Sequence, residues 1–178
     1  MKKTILICGL IAGIIVSVFM VTSTAMCYRS EDFDGSIVIG YASMLLAFSL
    51  IFVGVKNYRD KFNNGVVTFG KAFQIGLFIT LIASTVYVIV WLFDYYLFVP
   101  DFMEKYTAHV IKQSQAEGLT GAAMQEKIAE MDGYRALYKN PLMIVLFTYF
   151  EILPVGLVVS LISALILKKT PAQQLPVA

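Results

Sequence analysis

The sequence predicts an all-α membrane protein: a bundle of four transmembrane helices, with an extracytoplasmic amphipathic helical hairpin between helices three and four. Three observations predict it. Mean hydropathy is +0.75, and only 15% of the 178 residues are charged while 58% are hydrophobic; a soluble domain carries about 25% charged residues. The apolar residues fall into four runs, each near the ~20 residues that cross a bilayer. The one long polar interval, 100–141, has helical periodicity, and it is too long for a structureless loop in a compact protein.

The first run is Thr4 to Cys27. Met1-Lys2-Lys3 opens it like a signal peptide, but the apolar stretch exceeds the usual ~7–15 residues, so an uncleaved signal-anchor helix is expected. A short link follows, with Arg29 against Glu31, Asp32 and Asp34. The second run is Ile37 to Val55; the link after it holds Lys56, Arg59, Lys61 and Lys71 against Asp60. The third run is Phe69 to Val99 and the fourth is Leu142 to Leu167, which Lys168 and Lys169 close. All four belong to one integral membrane domain, 1–178.

Charge placement sets the expected direction. Basic residues favour the cytoplasmic side. Lys2 and Lys3, the second link and Lys168–Lys169 therefore share that side. Both termini are expected in the cytoplasm, and the first link and residues 100–141 outside.

Within 100–141, Phe102, Tyr106, His109 and Val110 share one face of a helix over Asp101–Glu117. Gly118 suits a helix stop and Thr120 an N-cap. A second helix then aligns Met124, Ile128, Met131 and Tyr138, and Asn140-Pro141 ends it. The pair could lie on the bilayer, cap the bundle or offer a groove to a partner.

Small residues recur four apart: Gly9, Gly13 and Ser17 in span one; Gly156, Ser160 and Ala164 in span four. Gly40, Ser43, Ala47 and Gly54 form a further stripe in span two. Such spacing lets helices approach closely in lipid, within this chain or in a homo-oligomer. Span three gathers Phe73, Gly76, Thr80, Ser84, Tyr87, Trp91 and Asp94 on one inward face. Ile75, Phe78, Ile79, Ile82, Val86, Ile89 and Phe93 are expected to face lipid.

Chemistry-bearing patterns are sparse. Cys8 and Cys27 lie ~28 Å apart on one helix, too far to bridge. With a single His, His109, no metal site is expected. No nucleophile–base or phosphate-loop pattern occurs, so neither catalysis nor a cofactor is expected. A net charge of +2 argues against nucleic-acid binding.

One polar group stands out. Glu151 lies inside span four, with Pro154 three residues on. A carboxylate deep in a span costs about 3 kcal/mol on insertion scales. Counting ~14 Å in from the hairpin side sets it level with Val90, between Tyr87 and Trp91. Tyr87 is the expected partner and Trp91 the second; with Asp94 and Ser84 they form a candidate intramembrane polar cluster. Pro154 is expected to free the Phe150 carbonyl and bend the helix, opening room beside Glu151.

Tyr58-Arg59-Asp60-Lys61, Phe69-Gly70-Lys71-Ala72-Phe73, and Glu151 with Pro154 and Gly156 resemble the Bacteroidota membrane family catalogued as domain of unknown function 4199. The resemblance covers most of the chain. It implies a four-span protein of the bacterial inner membrane and brings no activity or site residue. Two functions of different class stay open. One is an accessory or interaction protein that uses 100–141 to hold a protein partner. The other is a small proton- or ligand-coupled carrier that uses Glu151.

Overall fold

The computed structural model describes residues 2–30 and 33–169. Glu31 and Asp32, counted above in the first link, lie outside them, as does the side chain of Asp34. Six helices follow one another: α1 (Lys2–Ser30), α2 (Asp34–Phe62), α3 (Phe69–Leu97), α4 (Phe102–Ala116), α5 (Gly121–Leu137) and α6 (Pro141–Leu167). Helices α1, α3 and α6, with α2 from Val38 to Phe62, are long and apolar enough to cross a membrane. Each extends beyond the apolar run that signals it or matches it closely, because polar helix formers such as Lys56, Arg59 and Lys61 continue α2 past the hydrocarbon region.

The helix ends follow local chemistry. Thr68 caps α3, its side chain accepting from the Lys71 amide at 3.3 Å. Asn140 caps α6 by accepting from the Leu142 amide at 3.0 Å, with Pro141 at the first helical position, where a missing N–H costs nothing. Gly118 stops α4 with φ +87°, a left-handed conformation natural to glycine.

Helix α3 is central and packs on α1, α2 and α6. This widens its buried face beyond the expected stripe. Gly76, Thr80, Ser84, Tyr87, Trp91 and Asp94 are buried as expected, and Phe73 is half-buried. Ile75 and Ile79, expected in lipid, are also buried, 1% and 0% exposed. For Ile79 the cause is the glycines opposite it. A Cβ on Gly9 would stand 2.8 Å from Ile82 Cγ2 and 3.3 Å from the Ile79 carbonyl; one on Gly13 would stand 2.7 Å from Val86 Cβ. A Cβ on Gly54 would stand 2.6 Å from Ile79 Cδ1. Gly9, Gly13, Gly54 and Gly156 thus admit neighbours in the same chain, where close van der Waals contact replaces the hydrophobic drive that lipid removes.

The buried core has two parts. The larger spans α1, α2, α3 and α6, around Phe48, Ile51, Val55 and Ile79, all fully buried. The smaller is Trp91, Tyr95, Met103 and Ile144, at the end covered by α4 and α5. Those two helices pack together, and Arg135 near the end of α5 pairs with Glu104 near the start of α4 at 3.5 Å. Met103, Thr107 and Ser114 of α4, and Met124 and Met131 of α5, are buried. Ile128, expected on the covered stripe, is 37% exposed. The other face of α4 meets Phe33, whose ring packs against Phe102, Tyr106 and His109 at 5.4–5.8 Å. Phe102, Met103 and Tyr106 of α4 and Tyr138 after α5 pack against Trp91, Tyr95 and Ile144 at this end of the bundle.

The opposite end collects the positive charge. Lys2 and Lys3 border the same groove as Lys71. Val67 and Lys169 exchange backbone hydrogen bonds of 3.0 and 2.8 Å, joining the α2–α3 link to the end of α6.

Candidate functional site

A partly enclosed cavity of about 170 Å³ lies in the capped half of the bundle, at the seam between the two cores. Helix α1 supplies Met20, Ser23 and Thr24; α2 supplies Gly40, Ser43 and Met44. Tyr87 and Trp91 come from α3, and Glu151 from α6. Phe102 of α4 and Tyr138, just past α5, close it from the cap. Glu151 is exposed rather than buried, and its side chain borders the cavity. A Cβ on Gly40 would meet nothing within 4 Å, so the α2 wall is open there.

The helices present these groups for local reasons. On α6, Ile144, Thr148, Ile152 and Gly156 form the buried stripe. Glu151 stands beside it, turned one position from Ile152. Gly156 faces Thr80, and Ser160 faces Gly76, an antiparallel register that sets Glu151 level with Thr85 rather than with Val90. On α3 the level of the carboxyl is therefore five residues from the one that sequence counting suggests. Tyr87 and Trp91, four residues apart, project on one face of α3 at ~3.6 residues per turn.

The five residues of the expected polar cluster separate into three places. Glu151, Tyr87 and Trp91 share the cavity. No hydrogen bond joins Glu151 to Tyr87; among the described residues the Glu151 carboxyl has no hydrogen-bond or ion-pair partner. Ser84 is fully buried outside the cavity, and its Oγ has no partner. Asp94 borders a different pocket, with Tyr28 and Arg29, between the outer parts of α1 and α3. It is 6% exposed, and its Oδ2 lacks a partner.

Pro154 does not open this cavity. Helix α6 continues unbroken from Pro141 to Leu167, and the proline is exposed on the face of Leu146, Phe150 and Leu157. The carbonyl it frees therefore lies toward the lipid side. Room beside Glu151 comes instead from Gly40 and the small side chains of Ser23, Thr24 and Ser43.

Those hydroxyl residues, with Phe102 and Tyr138, are the site residues that sequence reasoning missed. A signal existed: Ser23 and Thr24 are adjacent hydroxyls inside an apolar span, and Gly40 and Ser43 stood in a stripe read as helix packing. Nothing local distinguishes a small residue that admits a helix from one that borders a space.

At the rim of the cap, the Tyr28 hydroxyl donates to Asp101, and Lys105 Nζ lies 3.9 Å from Asp101 Oδ2 and 3.6 Å from the Tyr28 ring centroid. The Tyr28 hydroxyl holds the Asp101 carboxyl below its ordinary value of 3.8, opposed by desolvation and aided more weakly by Lys105. This ties the end of α1 to the start of α4. Both cysteines are free and buried. Among the described residues, no group of three His, Cys, Asp or Glu could hold a metal ion.

Fold and site together define a multi-pass helical membrane protein with a carboxyl side chain bordering a partly enclosed cavity. The family model described as Protein of unknown function (DUF4199) matches residues 7–169, and the chain belongs to that family. Neither a curated protein nor a solved structure matches the chain.

Proposed function

We propose that this is a small proton- or ligand-coupled membrane protein whose working group is Glu151, entered from the side of the α4–α5 cap. The observation that carries the reading is the Glu151 carboxyl, without a partner among the described residues, bordering a cavity among polar and aromatic walls. Ionisable groups inside spans are costly and mark ligand or proton sites. A merely structural carboxyl would be hydrogen-bonded to a neighbouring helix. The fully buried core of Phe48, Ile51, Val55 and Ile79 lies on the far side of the cavity, so exchange in this state does not run through that end of the bundle.

The reading includes orientation. Eight of the fourteen basic residues lie at the end opposite the cap, with Asp60 as their one carboxylate. By the positive-inside rule that end is cytoplasmic, the protein sits in the inner membrane of a bacterium, and the cap is outside.

The test is side-specific modification. In a background lacking Cys8 and Cys27, Glu151→Cys should react with a small membrane-impermeant methanethiosulfonate applied from the cap side. Phe150→Cys, 75% exposed toward lipid, should not. A folded Glu151→Cys protein that resists the reagent would refute the reading.

A second reading, an accessory protein that holds a partner through 100–141, is favoured by the exposure of Ile128, Tyr134 and Leu137 on α5. Replacing these three with Ser should abolish partner capture in mild detergent. Capture that survives would exclude this surface.

A further inference from the structure

We propose that the Glu151 cavity takes a small organic ammonium ion: an amine or methylated amine of about six non-hydrogen atoms. This rests on the reading of the cavity as the working site and adds the class of ligand.

The argument begins with charge. Glu151 borders the cavity, and no Lys, Arg or His does. Glu151 is exposed in the bundle itself, but its helix is long and apolar enough to span a membrane, and an ionised carboxylate inside a span is costly unless paired, so the site takes up a proton or a cation. The walls choose among cations. Four aromatic side chains, Tyr87, Trp91, Phe102 and Tyr138, surround the space. Aromatic faces attract a cation within about 6 Å of the ring centroid, and quaternary ammonium groups are recognised this way. A hard metal ion asks for about six oxygen ligands, and a single carboxylate among aromatic rings suits it poorly. An alkylammonium uses both parts of the wall: its charge faces Glu151 and its C–H surface faces the rings. Neutral solutes leave the carboxylate unpaired, and anions are repelled.

Size fits as well. The cavity is about 170 Å³, slightly larger than an engineered ~150 Å³ cavity that accepts benzene. That leaves room for tetramethylammonium and excludes tetrabutylammonium. A free amine and the head of a zwitterionic lipid offer the same chemistry, and the experiment separates them.

Trp91 is the only tryptophan in the chain and borders the cavity, so its fluorescence reports directly. The full chain is purified in dodecyl maltoside, which carries no ammonium group, and titrated with tetramethylammonium chloride. A saturable change is expected. Sodium chloride at equal ionic strength, tert-butanol and tetrabutylammonium should give none. Glu151→Gln should weaken binding about tenfold or more, and Tyr138→Leu about fivefold, the size of one desolvated cation–π contact. Tyr138→Phe, which keeps the ring, should bind as the parent does. Competition by dihexanoyl phosphatidylcholine would assign the ammonium to a lipid head; absence of competition would assign it to a free amine.

The proposal is overturned if the parent protein shows no saturable change, if sodium or tert-butanol matches tetramethylammonium, or if Glu151→Gln binds unchanged. If Glu151→Cys is nevertheless modified from the cap side, the ligand class alone falls. If Glu151→Cys also resists modification, the reading of the cavity falls with it.

Discussion

Asp101 and Glu151 make opposite demands on their surroundings. Asp101 is held by the Tyr28 hydroxyl, which lowers its carboxyl below the ordinary 3.8. A depressed folded value contributes stability that is present above the unfolded value of ~3.9 and lost as pH falls through the folded one. The tie between α1 and α4 should therefore hold at neutral pH and release only below about pH 4. Amide exchange in α4 should rise over that range in the parent protein. In Asp101→Asn the acid-dependent rise should be missing. Glu151 has no such donor. Glu151→Gln should change the unfolding free energy in detergent by less than about 1 kcal/mol. Glu151→Leu should do no worse, because no partner is orphaned. A loss of several kcal/mol in Glu151→Leu would mean that a neighbouring hydroxyl depends on the carboxyl after all.

At the scale of the element, contact between helices is set by where backbones come close. Gly156 is the tightest case. A Cβ there would collide with the Thr80 side chain and approach Phe48 Cζ to 2.9 Å. Phe48 and Thr80 are fully buried and have little room to yield. Gly156→Leu should cost about 1–3 kcal/mol by overpacking. Gly40→Ala, where a Cβ meets nothing, should be neutral within about 0.5 kcal/mol. Thermal unfolding of both variants in one detergent checks the contrast, and equal losses would contradict the packing described for α3 and α6. The cap can be mapped in the same way. With Cys8 and Cys27 removed, single cysteines at Met124 and Met131 should label slowly with an impermeant maleimide. Those at Gln115 and Gln125, both exposed, should label fast. Ile128, partly uncovered on α5, should join the fast group.

Across the whole molecule, the two ends differ in charge and in cover. One is basic and pinned by the Val67–Lys169 bridge; the other is capped by α4 and α5. A reporter active only in the cytoplasm should work when fused after Lys169. One active only outside should work when inserted between Gly118 and Thr120. The reverse pattern would invert the proposed orientation and direct the cavity toward the cytoplasm.

The sequence by itself determined the four spans, the two helices within 100–141, the stop at Gly118, the Asn140–Pro141 start of α6 and the buried polar stripe of α3. Each follows from local rules: hydropathy over some twenty residues, helical periodicity, and the φ/ψ preferences of Gly, Pro and Asn. Only the tertiary structure decided which helix each small residue admits, and hence that Ile75 and Ile79 are buried. Likewise it decided that Pro154 lies toward lipid, that Asp94 and Ser84 stand apart from Glu151, and that Tyr87 forms no hydrogen bond with it. The physical reason is that helix rotation and depth in a bundle are fixed by the fit of one helix's side chains against another's backbone. Gly9 against Ile82 and Gly156 against Thr80 set those rotations. The cavity is what remains where five helices and the end of the cap meet without filling the space, and no single stretch of sequence encodes it.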